Sequence, residues 1–177
     1  EGVTTSANLS MTGFDSHSKH DDPGPLNGQR PRLQELLDAI DYFLDLAKTE
    51  PAIYGRLVVV AGSDFGRSKY NAAEVAARGK DHWPITSALC FGSLIGGGRT
   101  IGQTTLDDDD SGPLAKALNG DAQVTSAADP NGQNLRPAHL HHALRSLLQI
   151  SESDAAQRFP VVFEQGLSPL PLFPPGS

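Results

Sequence analysis

Residues 57–61 constrain the fold more than any other part of this sequence. They read Leu-Val-Val-Val-Ala, a continuous apolar run without the alternation of a half-exposed strand. Such a run is typical of a strand buried on both faces, as in a parallel sheet that helices cover. We therefore expect an α/β fold in which this strand lies inside the sheet.

An amphipathic helix is predicted just before this strand. Pro31 stands where a first helical residue is favoured, and apolar residues then recur at steps of three and four. They are Leu33, Leu36, Leu37, Ile40, Phe43, Leu44 and Ala47. A modest strand over residues 3–11 precedes the helix, so the three segments would form a right-handed crossover unit. The polar loops after both strands would then meet at one edge of the sheet, where ligands usually bind.

Later segments are predicted to complete a sheet flanked by helices, in a single domain over residues 1–177. A second helix is indicated from Pro137 to Leu148, with Leu140 and Leu144 facing inward and His139 further out. The remaining predictions are a buried strand at 86–95, a turn at 96–98, a weak strand at 99–106, one or two helical turns at 113–118, a short strand or hairpin at 160–163, and an extended Pro-rich tail.

Composition excludes several classes of function. The chain has 177 residues and a formal charge of −7, so it lacks the basic surface that nucleic acid or an anionic membrane requires. No apolar run approaches the length of roughly 20 residues that a membrane span needs. The single cysteine, Cys90, excludes an internal disulfide and a zinc site built from cysteines, and it is predicted to be inert core.

Three clusters of acidic and histidine residues are the strongest chemical signal. Carboxylate oxygens and imidazole nitrogens are the natural ligands of a divalent ion in a hydrolytic site. Taken singly, each cluster also has a structural explanation, such as a turn cap or a surface pair. Their common position in loops or beyond strands favours a metal site. The clusters are Asp15 with His17 and His20, then Asp64, then Asp81 with His82.

Other polar features leave two explanations open. Arg67 could bind a phosphate or sulfate group through its guanidinium, or form a structural ion pair with Asp64 or Asp81. The acidic run at 107–110 could bind Ca²⁺ through its oxygens, but a solvated loop is the favoured interpretation because the run lacks the spaced ligand pattern. His139 and His142 have the spacing of a metal pair, although solvated or partly packed side chains are the favoured interpretation.

The residues of the three clusters carry a family resemblance. The chain resembles the DUF1501 proteins, a branch of the alkaline phosphatase/sulfatase superfamily, over nearly all of its length. It is similar to the carboxyl-terminal portion of that family. The motifs that carry the resemblance are Gly13-Phe14-Asp15-Ser16-His17, Asp64-Phe65-Gly66-Arg67-Ser68 and Arg78-Gly79-Lys80-Asp81-His82-Trp83-Pro84.

The resemblance implies part of an alkaline phosphatase-like sheet, a divalent ion (Zn²⁺, Mn²⁺ or Ca²⁺) and an exported or cell-surface location. The implied metal ligands are Asp15, His17, Asp64 and His82, with His20 and Asp81 as further candidates and Arg67 as the anion-binding side chain. The resemblance also implies that the nucleophile lies upstream of Glu1, so that this chain is incomplete for catalysis by itself.

The sequence departs from the superfamily pattern at two positions. Metal-dependent members carry Asp and His four residues apart, but position 19 is Lys, which leaves His17 and His20 as alternatives. Phe65 stands where an imidazole is often found. Two functions follow: a metal-dependent hydrolase of phosphate or sulfate esters, or a non-catalytic module of the same fold that binds a surface glycan or a protein.

Overall fold

The computed structural model of the chain describes residues 6–24, 28–74, 77–106 and 112–173. These ranges contain both helices and strands, as the sequence predicts. The helices are α1 (Gln29–Lys48), α2 (Pro51–Tyr54), α3 (Pro137–Leu147) and α4 (Asp154–Arg158). The strands are β1 (Val58–Gly62), β2 (Gly66–Tyr70), β3 (Lys80–Trp83), β4 (Ala88–Gly92), β5 (Thr104–Leu106) and β6 (Pro113–Ala115).

The strands pair differently from the prediction. Within the described ranges they form three two-stranded antiparallel sheets: β1 with β4, β2 with β3, and β5 with β6. The expected parallel arrangement, with a crossover onto a fully buried strand, is therefore wrong for β1. Val60 in its centre is 42% exposed. An apolar run reports a preference for burial, but the direction of pairing depends on the partner strand, which the run does not specify.

Several shorter segments also differ from their predictions. Residues 6–11 form no strand, and neither do residues 160–163. Residues 113–115 form β6 rather than a helical turn, because they pair with β5. The turn predicted at 96–98 does not lead into a strand, since β5 begins only at Thr104. The acidic run at 107–110 lies outside the described residues.

Helix α1 is confirmed, but its apolar stripe is only partly covered. The helix begins two residues before Pro31 and ends at Lys48, shortly before Pro51, which disfavours further helix. Ala47 is the one α1 residue classed as buried. Apolar side chains of α1, α2, β1 and β4 that remain exposed are Leu33, Leu37, Tyr42, Phe43, Leu46, Ile53, Tyr54, Val60 and Leu89.

The hydrophobic core lies in the carboxyl-terminal half. Leu118, Ala143, Leu170 and Leu172 form a buried cluster, and neighbouring apolar side chains pack against it. The Pro-rich tail therefore closes the core, as an extended segment without helix or strand up to residue 173. No helix in the described part of the chain is long and apolar enough to cross a membrane.

Helix α3 is confirmed from Pro137 to Leu147, but the placement of one histidine is corrected. His139 is fully buried rather than turned outward. Its Nδ1 accepts a hydrogen bond from the backbone N–H of Arg136 at 2.9 Å, and its Nε2 lies 3.2 Å from Oε1 of Gln133. These contacts satisfy both ring nitrogens and explain why the imidazole can be buried. His139 is therefore structural rather than one half of a metal pair.

Two segments distant in sequence run side by side and place the acidic and histidine clusters. The backbone N–H of Lys80 donates to the carbonyl of Ser16 at 3.0 Å, and that of His20 donates to the carbonyl of Arg78 at 3.0 Å. Gly79 lies against the backbone of His17, where a Cβ atom would overlap it. The loop that carries the first cluster is thus packed against the start of β3, which carries the third.

Candidate metal site

Asp15, His17 and His82 form one group of possible metal ligands. Nε2 of His17 is 3.1 Å from Oδ1 of Asp15 and 3.1 Å from Nε2 of His82. Nε2 of His82 is also 3.1 Å from Oδ1 of Asp15. The three atoms therefore stand at the corners of a nearly equilateral triangle. All three side chains are about half exposed.

The spacing and the chemistry of this triangle fit a bound divalent ion. Two ligand atoms of a tetrahedral zinc site lie about 3.3 to 3.6 Å apart when each is at its usual distance from the ion. The observed 3.1 Å is slightly shorter, and small side-chain rotations are enough to widen it. Three protein ligands also leave a position for solvent or substrate, which is the pattern of catalytic rather than structural sites.

His17 uses its two ring nitrogens in different ways. Its Nδ1 is 3.0 Å from Oδ1 of Asp81, whereas its Nε2 belongs to the triangle. Asn71 supports this arrangement, because its Nδ2 donates to the carbonyl of His17 at 3.0 Å. Asp81 lies next to the group, and its carboxylate contacts the imidazole of His17.

Arg67 holds Asp15 in place. The strand register sets Arg67 opposite His82 across the β2–β3 pair, so both reach the same side. Its guanidinium donates to Oδ1 of Asp15 at 2.8 Å and to the carbonyl of Phe14 at 2.7 Å. A third hydrogen bond runs to the carbonyl of Lys80. The structural ion pair foreseen for Arg67 is present, with Asp15 rather than Asp64 or Asp81 as the partner.

Phe65 packs against the imidazole of His82. The two rings are stacked with centroids 3.7 Å apart, and the His17 ring lies on the triangle side of His82 with a centroid distance of 4.7 Å. The side chain at position 65 therefore reaches the group, although it offers no ligand atom. The sequence departure at Phe65 lies directly beside the candidate metal ligands.

The structure does not bring every predicted ligand into the triangle. Asp64 is exposed and is not a member of the group, and its assignment as a ligand stays a prediction. His20 is turned to other partners: its Nδ1 is 2.7 Å from the hydroxyl oxygen of Ser16, and its ring meets that of Tyr70 edge-on. Of the two alternatives His17 and His20, the structure places His17 with Asp15 and His82.

The electrostatics keep the carboxylates of the site ionised. The hydrogen bonds from Arg67 and then His82 lower the pKa of Asp15. The hydrogen bond from His17 is the main cause that lowers the pKa of Asp81, with a smaller contribution from Asn71. Both carboxylates therefore remain negative at neutral pH, which is the state that a cation or an imidazole N–H requires.

A second polar cluster anchors the β2–β3 pair on the other side of the loop. Asp21 accepts hydrogen bonds from the hydroxyl of Tyr70 and from the guanidinium of Arg78, each at 3.0 Å. The guanidinium carbon of Arg78 and the ammonium group of Lys80 lie 3.9 Å and 4.6 Å from the Tyr70 ring centroid. The hydrogen bond from Tyr70 and then that from Arg78 lower the pKa of Asp21, and the same contact with Asp21 raises the pKa of Tyr70.

Sequence reasoning missed the supporting role of Asn71 and Tyr70. Tyr70 ends β2, and Asn71 follows it directly. Neither residue belongs to a periodic pattern. The sequence offered only a weak indication of this role. An Asn follows an aromatic residue there, ahead of the segment that carries Asp81 and His82.

Comparisons with known proteins give no match: no protein-family model matches the sequence, and neither curated proteins nor solved structures match it. Family and function are therefore proposed below from the motifs and from the geometry of the site.

Proposed function

We propose that this chain holds a divalent ion with Asp15, His17 and His82, as part of a metal-dependent hydrolase of phosphate or sulfate esters. The observation that carries the proposal is the triangle of ligand atoms, with each pair 3.1 Å apart. The three motifs that resemble the DUF1501 proteins support the reaction class, an alkaline phosphatase-like fold and an exported location.

The donor set favours Zn²⁺ or Mn²⁺ over Ca²⁺. Two imidazole nitrogens and one carboxylate oxygen suit borderline transition metals, whereas Ca²⁺ takes six to eight oxygen ligands. The group holds a single carboxylate, that of Asp15. A calcium ion would gain little from two neutral imidazoles, so its affinity should be much lower.

The residues of the site would contribute to ester hydrolysis in different ways. A bound divalent ion would polarise an ester oxygen and lower the pKa of a water molecule. Arg67 orients Asp15 and is itself only 13% exposed in its side chain. His17 and His82 are about half exposed, so a small anionic ester can approach the group from solvent.

A second candidate function is a binding module without catalysis, with a surface glycan or a protein as its ligand. Two contacts favour it. Phe65, which has no ligand atom, covers one face of His82. Arg67 already donates to three protein oxygens, which leaves it less able to grip a substrate anion.

Metal binding by the purified protein tests the site directly. We expect the metal-stripped protein to take up one Zn²⁺ or Mn²⁺ per chain in calorimetric titration, and Ca²⁺ far more weakly. His82→Ala should reduce the affinity at least tenfold, because it removes one of three ligands. His141→Ala is the matched control, since His141 lies on α3 and outside the group. Failure of the parent protein to bind any of these ions would refute the metal site.

Ester hydrolysis separates the two candidate functions. The metal-loaded full-length protein is assayed with aryl phosphate and aryl sulfate esters beside its His82→Ala variant. Turnover that His82→Ala abolishes supports the hydrolase. Stoichiometric metal binding with no turnover of either ester favours the binding module.

A further inference from the structure

Asp81 contacts the candidate metal ligands without being one of them. It follows Lys80 on β3 and precedes His82, and its Oδ1 lies 3.0 Å from Nδ1 of His17. The opposite nitrogen of the same ring, Nε2, is the one that faces Asp15 and His82. The imidazole of His17 thus contacts the Asp81 carboxylate through Nδ1 and faces Asp15 and His82 through Nε2.

The position of the Asp81 carboxylate is fixed by neighbouring groups. Its backbone N–H donates to the hydroxyl oxygen of Ser68 at 2.9 Å, which holds the strand. Asn71 donates through Nδ2 to Oδ1 of Asp81 at 3.5 Å and to the carbonyl of His17 at 3.0 Å. The same Asn71 accepts the backbone N–H of Gly79 at 2.8 Å. Asn71 therefore contacts both Asp81 and His17 and links them to the backbone of Gly79.

The chemistry of this contact determines which ring nitrogen carries the proton. An ionised carboxylate can only accept hydrogen bonds, so Nδ1 of His17 must donate to it. Nε2 then carries a lone pair, which is the form that binds a metal. Carboxylates that contact metal-ligating histidines in this way orient the ring and raise the basicity of the ligand atom.

We infer that Asp81 is a positioning residue, which holds His17 in the tautomer whose Nε2 lone pair faces Asp15 and His82. The inference rests on the proposed metal site and deepens it. Asp81 therefore acts through His17 rather than as the additional ligand that the sequence had suggested.

The experiment combines nitrogen NMR of the histidine rings with Co²⁺ titration followed by visible absorption. In the metal-free protein we expect His17 to be protonated at Nδ1, and Asp81→Ala to shift it toward the Nε2-protonated form. Asp81→Ala should also weaken Co²⁺ binding about 10- to 100-fold. Asp81→Asn should lose less affinity than Asp81→Ala, because its amide oxygen can still accept from Nδ1. Asp121→Asn is the control for the loss of one surface charge.

Each outcome decides one question. An unchanged tautomer and unchanged Co²⁺ affinity in Asp81→Ala would overturn the inference. If Asp81→Ala does not fold, the tautomer of His17 in the parent protein carries the test. If the parent protein binds no Co²⁺, the proposed metal function fails, while the tautomer of His17 in the metal-free protein still tests the role of Asp81. A His17 ring protonated at Nε2 in the parent protein contradicts that role.

Discussion

Gly79 is required by the close contact between two backbone segments at the site. A methyl group at position 79 would overlap the backbone of His17 and Ser18. No side chain can rotate away to relieve this overlap, because the atoms concerned are backbone. The size of one residue thus decides how closely the loop of Asp15 and His17 approaches the strand of His82.

Gly79→Ala should therefore displace His17 and weaken the metal site. We expect a loss of about 1 to 3 kcal/mol in the free energy of unfolding, which is typical of overpacking, together with at least a tenfold loss of Zn²⁺ affinity. Urea unfolding and calorimetric titration measure the two effects. Gly97→Ala is the control, because a Cβ at Gly97 meets no atom within 4 Å. Equal metal affinity in both variants would contradict the role of Gly79.

At the scale of elements, helix α3 has an imidazole in its first turn, at the position from which Glu or Gln more usually bonds back to the residue before the helix. His139 accepts the backbone N–H of Arg136 through Nδ1, so it satisfies a donor at the start of the helix. Burial is the main cause that lowers the pKa of His139. Protonation would break the contact with Arg136 and place a charge in a buried position.

This burial makes the stability of the protein depend on pH in a definite direction. The pKa of His139 is lower in the folded state, so the unfolded chain takes up its proton first as the pH falls. The stabilisation is therefore complete above about pH 6.5, the ordinary pKa of histidine, and is lost as the pH falls through the lowered pKa.

We expect the thermal midpoint to fall between neutral pH and pH 5, and the fall to be smaller in His139→Gln. A His141→Gln variant, altered on the same helix, should retain the full dependence. Identical slopes in the two variants would contradict the assignment.

Helices could be predicted from the sequence more fully than strand pairings. α1 and α3 were found because apolar residues recur along one face, a pattern that depends only on local geometry. The direction of β1 was predicted wrongly, because it depends on β4, which lies 25 or more residues further along the chain. β2 was missed because Gly-Arg-Ser-Lys-Tyr carries no apolar alternation. Arg67 supports its pairing with β3 by donating to the carbonyl of Lys80, and the ammonium group of Lys80 lies over the Tyr70 ring.

The candidate site was predictable in composition but not in arrangement. Asp15, His17 and His82 were named from their residue types and motifs, and the structure brings these three together. The partners of Arg67 and Asp81 depend on the β2–β3 register, which local sequence does not encode. The sequence therefore identifies the candidate ligands, and the fold decides that Asp15 lies in the group of possible ligands and that Asp81 contacts it.

At the scale of the whole molecule, the buried apolar side chains of the described residues lie mainly in the carboxyl-terminal half. Leu118 is fully buried, in the same cluster as Leu170 and Leu172. Its backbone forms hydrogen bonds with that of Gln133. Among the described residues, the amino-terminal half has one buried apolar side chain, that of Ala47, whereas the carboxyl-terminal half has five. Substitutions of the same chemical type should therefore have very different effects in the two halves.

Leu118→Ala should cost about 2 to 5 kcal/mol in the free energy of unfolding, since it leaves a cavity in the core. Leu89→Ala is the matched control, because Leu89 is 53% exposed on β4, and exposed positions usually change stability by less than about 0.5 kcal/mol. Urea denaturation of both variants measures the difference. A cost for Leu89→Ala equal to that for Leu118→Ala would contradict the placement of the core.

The joining of distant segments at the triangle has a consequence for how the chain is constrained. His17 and His82 are 65 positions apart, and the single cysteine cannot form a bridge within the chain. An ion shared by these residues would act as a cross-link that closes this long loop. By the entropy reckoning used for disulfides, such a closure restricts the unfolded chain by about 4 kcal/mol. The ion would then stabilise the fold as well as take part in the chemistry. A chelator would therefore destabilise the amino-terminal half before it affected the hydrophobic core.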